Sequence, residues 1–284
     1  MSYSHLRPRF TPLAHVEEIS SGHYRLSIPA GQADEYRLAQ LDDYTQIPKR
    51  HLFPHRFGLT LSLSARTSNA SLPGTWGFGL WNDPFGWSLG FGGKPFRIPA
   101  LPNVAWFFGA SRENYLSFSN KPANGFLAQT FRSPKFHPLL LLAGLALPFS
   151  RKWTRRLLSR VILEDGRALN PPPAQESAEY ADRISRRSPL AAPASAVVTP
   201  QEEAVRVDPA QWHRYRLEWS LKRVSFEVDE VRVFESAVSP NPPLGVVIWI
   251  DNQYAAFTPE GKIGFGVLAN PEPAWLEVKE LEIR

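Results

Sequence analysis

Residues able to do chemistry are few in this chain, and they sit at the ends of apolar runs. Arg112 is followed by Glu113, and Asp251 by Asn252. An acid or base would be drawn from Arg112, Glu113 and Asp251, because a carboxylate beside a cation or in an apolar wall can hold or release a proton. A buried Arg–carboxylate pair that serves packing alone reads the same way. Asp83, Asp251 and Asn252 supply the oxygen donors that a structural calcium ion would use. No His-x-x-x-His, His-x-His or carboxylate cluster points to another metal. No Gly-x-Ser-x-Gly, phosphate loop or dinucleotide fingerprint occurs. Cysteine is absent, which excludes disulfides, thiol catalysis and thiolate-bound metal. The sequence predicts no cofactor.

The aromatic residues are the stronger signal. Trp76, Trp81, Trp87, Trp106 and Trp249 all fall in or beside predicted strands. Indole rings stack on sugars and other flat apolar ligands, and they also fill sandwich cores. The ligand-binding set predicted on this basis is Trp76, Trp81, Asn82, Asp83, Trp106, Trp249 and Asn252. Side chains alternate along a strand, so only one parity can line a cleft. Trp81, Trp249 and Asp251 are expected there.

The elements that position these residues read as strands. The run Leu244 to Ile250 is continuously apolar and β-branched, and it stops abruptly at Asp251-Asn252-Gln253, as a strand buried on both faces does. Phe57 to Arg66 alternates apolar and polar positions. In Gly74 to Trp81, Trp76, Phe78 and Leu80 share one face, and Gly77, Gly79 and Trp81 the other. Glycine inside a strand marks a close approach, either of a neighbouring side chain or of a ligand. Val104 to Ala110, Gly125 to Phe131, His23 to Ile28, Glu35 to Asp43 and Trp275 to Ile283 complete the predicted strands. His213 to Trp219 alternates, and the strands around Asp229-Glu230 form a hairpin. Residues 1–22 show no periodicity and are expected to be an irregular arm.

Between these strands the composition changes. Pro138 to Phe149 is apolar, and Trp153, Leu157 and Val161 recur every four residues with Arg155 and Arg156 on the other side, a cationic amphipathic helix. That helix is read as a lid, a surface helix at an anionic membrane, or a dimer contact. Residues 168–209 are dense in Pro, Ala, Ser and Glu and read as a linker. The chain has 284 residues, 43% hydrophobic and 21% charged, ordinary for one large globular domain. Its net charge is +5. Much of the excess lies at 134–167, with seven basic and two acidic residues, and is not spread along a stripe as a nucleic-acid binder requires. The start lacks the apolar core of a secretion signal, and no apolar run reaches the ~20 residues of a spanning helix. A cytoplasmic protein is expected, with a peripheral membrane contact through the helix as the variant.

The order of these pieces resembles the concanavalin A-like lectin/glucanase superfamily, and within it the domains of family-16 glycoside hydrolases. Three stretches carry the resemblance: Arg66-Thr67-Ser68 with Gly74-Thr75-Trp76-Gly77-Phe78-Gly79-Leu80-Trp81; Trp212-His213-Arg214-Tyr215-Arg216-Leu217-Glu218-Trp219 through Val228-Asp229-Glu230; and Pro242-Pro243-Leu244-Gly245 with the strand after it. They span about residues 35–131 and 205–284, and the insertion has no counterpart. Glu230 stands where the family has glycine. The resemblance implies a cleft strand carrying two carboxylates ~5–5.5 Å apart, as retaining glycosidases need. The strand in that place, Asn103 to Glu113, has one carboxylate, at its end.

The expected fold is therefore all-β: one jelly-roll sandwich of two curved antiparallel sheets over residues 1–284, with a helical and irregular insertion at 134–209. The expected function is ligand binding in an aromatic-lined concave cleft, with carbohydrate implied by the resemblance and no retaining-glycosidase activity. Two other readings stand beside it. One is an enzyme acting on a hydrophobic, isoprenoid-like substrate under the insertion. The other is a peripheral membrane protein.

Overall fold

The computed structural model describes residues 6–84, 97, 100–114, 124–133, 199–257 and 263–284. The predicted helix with Trp153, Arg155, Arg156, Leu157 and Val161 lies outside the described residues, as does Trp87. Two seven-stranded antiparallel sheets form a jelly-roll-like sandwich. The first is ordered β1 (Arg7–Phe10), β4 (Leu38–Asp42), β13 (Gly245–Asp251), β6 (Thr75–Trp81), β7 (Val104–Ala110), β8 (Gly125–Arg132) and β9 (Thr199–Ala204). The second is ordered β12 (Val231–Ser236), β11 (Val224–Val228), β10 (His213–Trp219), β5 (Leu59–Thr67), β16 (Ala274–Ile283), β3 (His23–Ile28) and β2 (His15–Ser20). A separate hairpin pairs β14 (Gln253–Phe257) with β15 (Ile263–Val267).

The inward positions of both sheets meet in one core. Leu61 and Leu63 of β5, Phe78 of β6, Phe107 of β7, Tyr215 of β10, Phe226 of β11 and Ile248 of β13 are all buried in it. Tyr215 sits 5.0 Å from Phe78 and 5.1 Å from Phe107 between ring centroids. Every residue of β13 is buried, so this strand is apolar on both faces, as its unbroken run requires.

Two expectations are corrected. Part of the arm at residues 1–22 is ordered as β1 and β2, which pair with β4 and β3. Both are edge strands with mostly exposed side chains, so no burial rhythm marks them, and Pro8 is tolerated because an edge strand has backbone facing away from a partner. Thr199–Ala204, inside the predicted linker, is the edge strand β9 on β8.

The β11–β12 turn holds Asp229 and Glu230 at φ of 49° and 67°. Left-handed backbone at both central positions is the mirror-image turn that suits twisted hairpins. Asp229 compensates by accepting hydrogen bonds from Arg214 N at 2.9 Å and from the His213 ring at 2.6 Å. Glu230 stands where glycine would be free of the Cβ clash, a cost of about 1 kcal/mol.

Candidate functional site

The first sheet has a second apolar face, turned away from the core. Trp106 and Phe108 of β7, Trp249 and Val247 of β13, Phe131 of β8 and Tyr44 after β4 form a buried cluster there, with Trp81 packed at its edge. The register explains the grouping. Trp249 pairs with Gly77, which pairs with Phe108; Val247 pairs with Gly79, which pairs with Trp106. Large rings thus flank a strand that carries glycine in the same row. A Cβ on Gly77 would lie 2.8 Å from the Trp249 ring and 2.3 Å from the Phe107 carbonyl oxygen. The glycines of β6 make room for neighbouring rings, and a neighbouring side chain accounts for Gly77.

The rings touch one another. Trp106 stacks on Phe108 with centroids 5.2 Å apart and planes 15° apart, and lies 5.1 Å from Trp249 and 6.0 Å from Trp81. Trp106 and Trp249 are each 7% exposed. Their indole N–H groups are satisfied: Trp106 Nε1 donates to Gln129 Oε1 at 3.0 Å, and Trp249 Nε1 to Thr75 Oγ1 at 3.0 Å. Trp81 differs. It is only half-buried, and its Nε1, itself buried, makes no hydrogen bond of good geometry.

Polar side chains are set among the rings. Gln129 donates to Glu202 Oε2 at 2.7 Å. Gln40 donates to Asp42 Oδ2 at 2.7 Å and to the Tyr44 hydroxyl at 3.2 Å. Asp251 lies at the far end of β13, where its Oδ1 accepts from Thr75 Oγ1 at 2.8 Å, Gln253 N at 3.1 Å and Thr75 N at 3.3 Å. The Tyr36 hydroxyl reaches its Oδ2 at 3.4 Å. Burial pushes the Asp251 carboxyl up to about 7 against the pull of these hydrogen bonds. Burial, and then the Asp251 charge, push the Tyr36 phenol upward in turn. A carboxyl held near neutrality can give or take a proton at physiological pH.

At the other end of β6, Arg97 Nη1 donates to Asp83 Oδ2 at 2.5 Å, and Nη2 donates to the Tyr44 carbonyl at 2.7 Å. The guanidinium lies 5.1 Å from the Phe53 ring. Burial raises the Asp83 carboxyl more than Arg97 lowers it.

Of the residues named from sequence, Trp81, Trp106, Trp249 and Asp251 share this outward face. Trp76 is on the opposite parity, 4% exposed in the inter-sheet core. Asn82 and Asn252 use their side chains as backbone pins: Asn82 bonds Leu101 O and Asn103 N, and Asn252 bonds Arg37 N, Glu35 O and Leu268 O. Arg112 and Glu113 form a 3.0 Å ion pair in the turn after β7, with the Arg112 side chain 92% exposed, so they do not close on the rings. The calcium donors do not converge either. Asp251 pairs with Thr75 at one end of β6 and Asp83 follows Trp81 at the other, roughly 20 Å along the strand. Among the described residues no three His, Asp or Glu side chains come together to hold a metal. Sequence reasoning missed Phe108, Gln129, Thr75, Tyr36 and Gln40; the first shares the parity of Trp106, and pairing register supplies the rest.

The second sheet's outward face is charged. Glu277, its side chain 1% exposed, accepts from Arg25 Nε and Arg66 Nε, both at 2.8 Å. Arg66 lies 4.9 Å from the Trp212 ring and 5.3 Å from the Trp275 ring. Further along the sheet Arg216 pairs with Glu218 and Glu227.

No family model matches the chain, and no curated protein sequence matches it. Several solved structures are similar. A glycoside hydrolase family protein from Mycobacterium thermorestibile is 12% identical, with 95% of this chain and 79% of that one covered at a TM-score of 0.45. A legume lectin-like domain from Entamoeba histolytica is 8% identical, with 99% and 90% covered and a TM-score of 0.45. The kappa-carrageenase from Zobellia galactanivorans is 10% identical, with 95% and 80% covered and a TM-score of 0.45.

Proposed function

We propose that this chain binds a carbohydrate at the aromatic outward face of its first sheet, entering at the Trp81 edge, and that it does so without retaining-glycosidase chemistry. One observation carries the reading: three indoles joined through Trp106, with Gln40, Gln129 and Asp251 interleaved on a face outside the sandwich core. Gln129 satisfies the Trp106 indole, whereas Gln40 and Asp251 bond no indole, and hydrogen bonds within the face offset the desolvation of each. Rings for the faces of a sugar and amides for its hydroxyls are the two contacts a saccharide requires.

The absence of bond cleavage rests on β7. Its outward positions are Val104, Trp106, Phe108 and Ala110, and Glu113 lies beyond the strand in an exposed turn. A retaining mechanism needs two carboxyl groups close together, one of them a nucleophile.

Isothermal titration against a panel of β-glucan and galactan oligosaccharides tests both halves. Binding is expected, with loss of at least tenfold in affinity in Trp81→Ala, whose half-buried position lets it be truncated without opening the centre of the cluster. No new reducing ends are expected on prolonged incubation. Failure of every saccharide to bind at millimolar concentration overturns the binding reading, and release of reducing ends overturns the second half.

A further inference from the structure

A cavity lies at one end of the sandwich. It is formed where the segment before β6 meets the end of β7 and the start of β8, and its volume is about 220 Å³. Leu72, Trp76 and Phe126 make its apolar wall, and Ser71, Arg112 and Asn124 its polar rim. Trp76 and Phe126 are stacked, centroids 4.7 Å apart and planes 23° apart. The Trp76 indole is held in place because its edge lies against Gly109, where a Cβ would come within 2.1 Å of it.

Much of the hydrogen-bonding capacity of this rim has no partner among the described residues. Among the described residues the Trp76 N–H, in a residue 4% exposed, has no hydrogen-bond partner. The side chains of Ser71 and Asn124 have none either. Arg112 gives only its Nε to Glu113, leaving the outer edge of the guanidinium open. Trp and Arg can only donate, and the serine and the asparagine can donate as well. Donors bordering an apolar pocket call for an acceptor-rich ligand, and a guanidinium fits a carboxylate with two parallel bonds. A volume worth roughly seven waters, below the ~300 Å³ of drug-sized sites, limits the ligand to one ring.

We propose that this cavity is a binding site for a small carboxylate carried on a single ring, with the ring against Leu72 and Phe126 and the carboxylate at Arg112 and the Trp76 N–H. The site is independent of the carbohydrate reading of the aromatic face. It gives Arg112 a binding role in place of the catalytic one considered from sequence.

The test is titration of the full chain, followed by tryptophan indole N–H resonances, with benzoate and glucuronate as probes and benzyl alcohol and glucose as their neutral counterparts. At least one acid is expected to bind with Kd of about 1–10 mM, to shift the Trp76 resonance, and to bind about tenfold more tightly than its neutral counterpart. Arg112→Gln, at a side chain exposed and paired only with its neighbour, is expected to fold normally and lose about tenfold in affinity. Ala70→Leu, at a lining position outside both apolar clusters, is expected to narrow the cavity and weaken the shift. Whichever acid binds more tightly distinguishes an aromatic acid from a sugar acid. Equal binding of the neutral compounds, binding unchanged in Arg112→Gln, or no shift with any probe at about 10 mM overturns the proposal.

Discussion

The two seven-stranded sheets share one core and turn opposite chemistries outward. On the first, Trp106 and Trp249 are nearly sealed among other rings, and the acid among them, Asp251, is pushed toward protonation by burial. On the second, the acid Glu277 is equally covered, yet Arg25 and Arg66 hydrogen-bond it and hold its carboxyl below the usual glutamate range despite burial. Burial alone therefore does not set the state of a carboxyl. The sign depends on whether a cation or only neutral donors share the site. A face that hides an acid without a cation keeps a proton available near pH 7, whereas one that supplies arginines spends the acid on holding strands together.

The largest break in this comparison is Trp106→Ala. It removes the ring at the centre of the first face and leaves Gln129 Oε1 without its indole donor, so thermal or urea unfolding should show a loss of ~3–5 kcal/mol. If the loss is under about 1 kcal/mol, the rings are not acting as a second core.

Asp251→Asn comes next, and its effect depends on pH. The native carboxyl titrates near 7 and the unfolded one at 3.8, so between these values the folded state binds more protons. Stability from this group falls as pH rises from about 4 to 7, by up to roughly 4 kcal/mol, and stays low above 7. Asparagine keeps an oxygen for Thr75 and Gln253 and carries no proton. The variant should therefore gain stability relative to the parent as pH rises from 5 to 8, measured by urea midpoints across that range. A constant difference would show that Asp251 does not titrate there.

Glu277→Gln is the smallest and has the opposite sign. Its native carboxyl is lowered, so its contribution is present above the unfolded value of 4.5 and lost as pH falls below it. A loss of about 1–2 kcal/mol is expected at pH 7, because Arg25 and Arg66 are partly solvated and lose only charge-assisted strength. The parent and variant unfolding curves should converge below pH 4.

Much of the fold is legible in the sequence. Alternation in Phe57–Arg66, which forms β5 from Leu59 on, the unbroken run ending at Asp251, and the shared parity of Gly77, Gly79 and Trp81 each follow from side chains alternating across a strand. Strand patterning is local, so a single sequence carries it. The edge strands β1, β2 and β9 were not legible, because an exposed strand is held by backbone pairing with a distant partner, which leaves no apolar rhythm in its own residues.

The sequence by itself determined the buried strands and which of their residues share a face. Only the tertiary structure decided that Trp81, Trp106 and Trp249 meet while Trp76 points into the core, and that Arg112 opens onto a separate cavity. It also decided that Asp251 has Thr75 and Tyr36 for company while Glu277 has two arginines. Those outcomes depend on register between strands far apart in the chain. Proton affinity follows the groups within a few ångströms of a carboxyl, and no spacing along the sequence encodes them.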